Sequence, residues 1–277
     1  MRTRRRHGWR RYVNLLTVAT TLTVLFVVLP ILWMIVSSFK GPGSINTSVI
    51  LPHPFTTVNY DTAFVQYDFG RAILTSAIVT VCSTVLVLGV GTLAGYGLAR
   101  TPMRGKFPIM VALLMISVFP AIAVIAPLFL IMREIGWLNS YEALILPYSA
   151  FNLPFAIWIL RNYFLGIPKE MEETGRIDGA SALRTVWSIV LPQAKPGLFT
   201  AGIFCFTACW TEFLMALSFN PTLKTIPVDL STVGTIFEAP FGIIFAASCV
   251  ATVPIAILVL AFRKSVVSGL TAGAVKG

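Results

Sequence analysis

Side chains that could do chemistry are few in this sequence, and they do not converge. Cys205 and Cys209 are four residues apart and share one helix face. Together with Cys82 and Cys249 they lie inside apolar runs, where no disulfide framework is expected. A zinc site would want four ligands. The two histidines, His7 and His53, sit in polar segments far away in sequence, so the cysteines read as small packing residues and no metal site is expected. Glu212 is the one acid that falls within an apolar run. A carboxylate at mid-bilayer costs roughly 2.5–3.5 kcal/mol. Glu212 and Trp210, two residues before it, are therefore candidates for lining a polar path. Glu212 lies about 9 Å from the end of its run at the helical rise, and placement at the outer interface stays open. No phosphate-binding loop, HExxH or GxSxG occurs, and no carboxylate pair flanks an aqueous pocket.

One segment is dense in charge and pattern: EMEETGRIDGASALRTVWSIVLP, residues 170–192, with four of the eleven acidic residues. Pro168 suits a first helical turn, and Glu170, Glu172 and Glu173 favour a helix N-terminus. Asp178-Gly179 signals a turn, and Ser181 can cap a second helix. Leu183, Val186, Trp187, Val190 and Leu191 follow helical spacing and make one apolar face. Pro192 and Pro196 close it. The spacing predicts a short helix-turn-helix with an acidic first arm, which fits a protein partner better than a lipid surface.

The elements around this segment are set by hydropathy. The chain is 56% hydrophobic and 12% charged, against about 25% charge in soluble domains. Six apolar stretches, at 13–37, 72–99, 108–132, 143–160, 198–218 and 242–262, reach the length of a membrane-spanning helix. The first exceeds the core of a signal peptide and reads as an uncleaved span. An all-α polytopic membrane protein with six transmembrane helices is expected. Of the 21 Lys and Arg, 17 fall on the side that holds both termini and residues 100–107 and 161–197. Only Lys40, Arg71, Arg133 and Lys224 fall on the other. The positive-inside rule makes the first side cytoplasmic. The layout is then a basic cytoplasmic N-terminus at 1–12, a first span at 13–37 and an extracytoplasmic loop at 38–70. The main membrane domain is 71–262, with the charged segment at 168–192 inside it, and 263–277 is a cytoplasmic tail. Despite the net charge of +10, no basic face with interleaved aromatics appears, so no nucleic acid is expected. Intramembrane prolines, among them Pro30, Pro120, Pro127, Pro147, Pro154 and Pro254, suit kinked spans. Gly91 and Gly95 form a GxxxG, which serves close helix packing within this chain or with another.

The charged segment resembles the EAA motif of bacterial ABC importer permease subunits: EAA, three residues, Gly, nine residues, Ile-x-Leu-Pro. Here Glu173-Thr174-Gly175 is followed by Gly179 and, nine residues on, by Ile189, Val190, Leu191 and Pro192. The spacing fits, while Thr174 and Gly175 replace the two alanines. GLTAGAVKG, residues 269–277, is similar to the ending of the maltose-type permease subunit. Thr211-Glu212-Phe213 after Trp210 looks like that branch's Trp-Asn-[Asp/Glu]-Phe, with Thr for Asn.

The resemblance implies a type I ABC importer permease fold with a cytoplasmic coupling helix, in the bacterial inner membrane. The chain would not be an enzyme and would hold no cofactor, with ATP and Mg on a partner ATPase. It implies a second, homologous permease subunit, two ATPase copies and an extracytoplasmic solute-binding protein, which the loop at 219–241 would contact. Glu173, Thr174, Gly175, Asp178, Gly179, Ala180, Ile189, Leu191 and Pro192 would couple to the ATPase. Gly269, Leu270, Thr271, Gly273, Lys276 and Gly277 would reach its interface. The cargo implied is a sugar, an oligosaccharide or a glycerol phosphate ester. The alternatives are an ABC permease for another solute, an ion-coupled carrier, for which Glu212 would be the candidate group, and a scaffold without transport.

Overall fold

The computed structural model describes residues 5–41, 43–45, 49–234 and 240–272. The side chains of 5–13, Arg176, Ala182, Leu183 and 264–272 lie outside that description. The described chain is almost wholly helical, with one isolated bridge between Lys40 and Phe55. In order come α1 (Arg5–Ser38), α2 (Val58–Val65), α3 (Phe69–Arg100), α4 (Lys106–Val118), α5 (Ile122–Glu134) and α6 (Glu142–Gly166). There follow α7 (Glu170–Ile177), α8 (Ala182–Thr185), a π-helical turn (Val186–Val190) and α9 (Leu191–Gln193). α10 (Lys195–Trp210), α11 (Leu214–Phe219), α12 (Ile226–Ser231) and α13 (Phe241–Ala272) complete the order. Among the described residues, four helical stretches are long and apolar enough to cross a membrane, and six if each of two sharply bent pairs counts as one span.

Contacts divide the chain into two units, residues 1–69 with 232–251 and residues 70–231 with 252–277. In the first unit, none of the apolar window of α1 is buried, and its end is fastened locally. Asn59 Nδ2 donates to the carbonyls of Ser38 (2.8 Å) and Lys40 (2.7 Å), and the hydroxyls of Ser38 and Tyr60 meet at 2.8 Å. Lys40 is buried, with Nζ donating to the Val49 carbonyl at 2.7 Å and lying 4.4 Å from the Trp33 ring centre.

The second unit is built around α6. Its buried residues Leu144, Tyr148, Ala156, Leu160 and Phe164 anchor a core that takes in Val79 and Val87 of α3, Cys205 and Cys209 of α10, and Phe219. The GxxxG serves packing inside the chain. A Cβ on Gly95 would stand 3.1 Å from the Arg161 nitrogen and 3.3 Å from the Ile157 carbonyl oxygen. One on Gly91 would touch Leu160 at 3.4 Å. The backbones of α3 and α6 thus come together because no side chain separates them.

Two expected spans are interrupted. The stretch expected as one run at 108–132 is α4 and α5, which meet at 88°. Pro120 disfavours helix at the residue before it, and Phe119 is extended (φ −64°, ψ 131°) where α4 stops. The stretch expected at 198–218 is α10 and α11, separated by Thr211–Phe213. At its start, α10 meets the preceding segment Val186–Gln193 at 74°.

The α3–α6 contact yields a test by contrast. Gly95→Leu puts bulk against backbone and should cost about 1–3 kcal/mol, the range for overpacking. Gly97 faces open space, so Gly97→Leu should match wild type. Thermal unfolding of the two variants in one detergent checks this, and equal midpoints would contradict the packing assigned to Gly95.

Candidate functional site: the acidic hairpin and the break at Glu212

Residues 168–193 form the expected helix-turn-helix. α7 carries Glu170, Glu172 and Glu173 in its first turn, where carboxylates favour the helix dipole. Its end is a Schellman closure: Ala180 N–H donates to the Gly175 carbonyl at 2.9 Å, and Gly179 has φ +82°. Only glycine takes that φ without strain. Ser181 then caps the second arm, its Oγ accepting from Arg184 N–H at 3.4 Å and its carbonyl from Thr185 N–H at 2.8 Å.

The second arm departs from a regular apolar face. Val186 and Val190 are buried, while Trp187 is 58% exposed; Leu183 has no described side chain. The cause is the π-helical turn, in which Leu191 N–H donates to the Val186 carbonyl five residues back. The wider turn shifts the phase and carries Trp187 out of line. The arms pack through Gly175, where a Cβ would collide with Ile189 Cδ1. One of the two residues that depart from the EAA pattern is therefore the one seated against Ile189. Ala180, Ile189 and Leu191 are half-buried between the arms and their surroundings, and Pro192 is exposed. The outer face shows Glu173, Thr174, Asp178 and Gly179 around Ile177, which is 86% exposed.

Sequence reading gave Glu172 no role beyond the dipole. In the structure it turns inward and is held by α3. Arg100 Nε donates to Glu172 Oε1 at 2.6 Å, and Tyr96 OH donates to Oε2 at 2.9 Å. Arg100 Nη2 donates to the Ile167 carbonyl at 2.7 Å, where α6 ends. The partners are 72 residues apart in the chain, and no local pattern announces such a pair. The available signal was an arginine closing a long apolar helix.

Trp210 ends α10, and Glu212 lies in the break that follows. Trp210 is buried, its ring stacked on Phe206 at 5.5 Å. Glu212 stands outside any helix and caps the next one. Oε1 accepts from Met215 N–H (2.9 Å), and Oε2 accepts from Ala216 N–H (3.1 Å) and Tyr148 OH (2.6 Å). Tyr148, the second residue that sequence reading missed, comes from α6 and is buried. The carboxyl group satisfies amides that an interrupted helix leaves without partners. In the tail, Gly269, Leu270 and Thr271 lie on the backbone of α13, while Gly273, Lys276 and Gly277 lie outside the described residues. Among the described residues, no three His, Cys, Asp or Glu side chains gather as a metal site.

Glu212→Ala removes a cap, which typically costs about 0.5–2 kcal/mol, and strips Tyr148 OH of its acceptor. A lower thermal midpoint than wild type is the expected outcome, with Tyr148→Phe falling between the two. An unchanged midpoint for Glu212→Ala would overturn its role as a cap.

Residues 88–271 match the family model described as binding-protein-dependent transport system inner membrane component. The sulfoquinovosyl glycerol transport system permease protein SmoH of Agrobacterium fabrum is 39% identical over 90% of this chain and 88% of its own. The trehalose/maltose transport system permease protein MalG of Thermococcus litoralis is 35% identical over 95% of this chain and 96% of its own. A crystal structure of a bacterial ABC transporter involved in the import of the acidic polysaccharide alginate shares the fold. Its TM-score is 0.79 at 23% identity, over 92% of this chain and 96% of that one. With the model matching most of the chain and these relatives spanning nearly all of it, the protein belongs to the family of binding-protein-dependent transport system inner-membrane components.

Proposed function

We propose that this chain is one of two permease subunits in an ATP-driven importer of a carbohydrate, and that the 168–193 hairpin is where the ATPase grips it. The observation that carries the proposal is the outer face of α7. It is a short helix with exposed Glu173, Thr174 and Asp178 around an almost fully exposed Ile177, closed by Gly179 and set on a buried base. An apolar side chain ringed by acids is a docking face for a protein cleft rather than a lipid contact. The 17 to four division of Lys and Arg supports placing this face and both termini in the cytoplasm. ATP and Mg then belong to the partner. A solute-binding protein delivers cargo from the other side, and the tail from Gly269 approaches the ATPase.

The carbohydrate class is supported by the names of the two relatives, one a sulfoquinovosyl glycerol permease and the other a trehalose/maltose permease. An ion-coupled carrier would need a carboxyl group available to an ion, and both oxygens of Glu212 are already bonded to donors of this chain.

The tagged chain should co-purify a nucleotide-binding subunit from gently solubilised membranes. Ile177→Glu, at an exposed position that the fold does not need, should lower its recovery roughly tenfold or more, as loss of a docking anchor does. Recovery of no ATPase by wild type, or equal recovery by the variant, would overturn the docking assignment.

A further inference from the structure

We infer that Arg100, Glu172 and Tyr96 form a clamp that makes the hairpin move as one body with the ends of α3 and α6. The inference rests on the reading of the hairpin as the ATPase grip. It adds the route by which a pull on α7 reaches the membrane.

By covalent chain alone, α7 hangs from α6 through Ile167, Pro168 and Lys169, and Ile167 is already extended (ψ 129°). Such a linker can pivot, so force applied to the hairpin would turn it before moving a span. The clamp closes that pivot from the side. Glu172 sits in the first turn of α7, beside the linker, and Arg100 is the last residue of α3. The side chains of the pair are 8% and 6% exposed. Arg100 spans three elements at once: its own helix, the Ile167 carbonyl at the end of α6, and the Glu172 carboxyl on α7. Tyr96 makes the second bond to that carboxyl, and its ring meets buried Phe164 of α6 edge-on at 5.7 Å. Immediately before Tyr96 on α3, Gly95 holds the helix backbone against α6. Both carboxyl oxygens and two guanidinium nitrogens are therefore engaged in a site removed from water, where charged hydrogen bonds are strongest and most directional. These are positioning residues, since none of them lies on the exposed docking face.

The test is a distance. Spin labels on Thr101→Cys, just past α3, and Met171→Cys, on α7 apart from the docking residues and 37% exposed, report the two bodies in the purified complex with its ATPase. The label distance should agree within about 2 Å, the scale of small helix shifts, between the nucleotide-free and ATP–vanadate-trapped states. Arg100→Met and Glu172→Gln should still co-purify the ATPase but give a broadened, state-dependent distance. Tyr96→Phe, which keeps the ring on Phe164, should broaden it less and keeps the test open if a charge variant does not accumulate. A larger change in wild type on trapping, or wild-type distributions in all the variants, would overturn the clamp. If wild type recovers no ATPase, the docking reading fails instead. The same labels in the chain alone then still decide whether Arg100→Met frees α7.

Discussion

The backbone contact between α3 and α6 at Gly95 is the constraint on which the functional half of the molecule depends. A side chain there would push the helices apart and carry Arg100 and Tyr96 out of reach of Glu172. With the backbones together, the end of α3 lies beside the end of α6 and the start of α7, and one buried carboxyl group can be shared among them. A small residue on a helix long and apolar enough to span a membrane thus sets the position of the charged helix α7. The same contact lets α6 collect the core residues of its unit.

The polar groups gathered at the break after Trp210 serve structure. Membrane-embedded backbone needs internal partners wherever a helix stops, and the stop after Trp210 is supplied by Glu212 with Tyr148. The other stop, at Phe119-Pro120, follows from proline geometry. Neither leaves a reactive group waiting for a substrate. That fits the proposed role, in which the energy source would sit on another polypeptide and this chain would contribute a shaped path and a docking hairpin.

Much of the 168–193 hairpin was legible in sequence because its determinants are local. Acids in a first turn, a turn at Asp178-Gly179 and Ser181 before the second arm each act over a few residues, and the structure has each of them. Gly175, one of the two departures from the motif's alanines, proves to be the point where Ile189 seats. The π-helical turn escaped notice because a run of Val, Trp and Ile satisfies a regular helical period equally well. The breaks near Pro120 and Glu212 were hidden inside unbroken hydropathy. A proline was visible at one, but a carboxyl group inside an apolar run does not reveal whether it faces a path or caps a helix. The clamp was illegible for a plainer reason: Arg100 and Glu172 are joined only by the tertiary fold.

The central claim is that the outer face of α7 lies in a cleft on a nucleotide-binding subunit. It is tested most directly by placing a photo-activated crosslinking residue at position 177 in the intact membrane and identifying the adduct by mass spectrometry. The account predicts a single major adduct with an ATPase subunit, and none from the same probe at Val118, an 83% exposed apolar position at the end of α4. Labelling of lipid alone at position 177, in cells whose uptake by this system is intact, would contradict it.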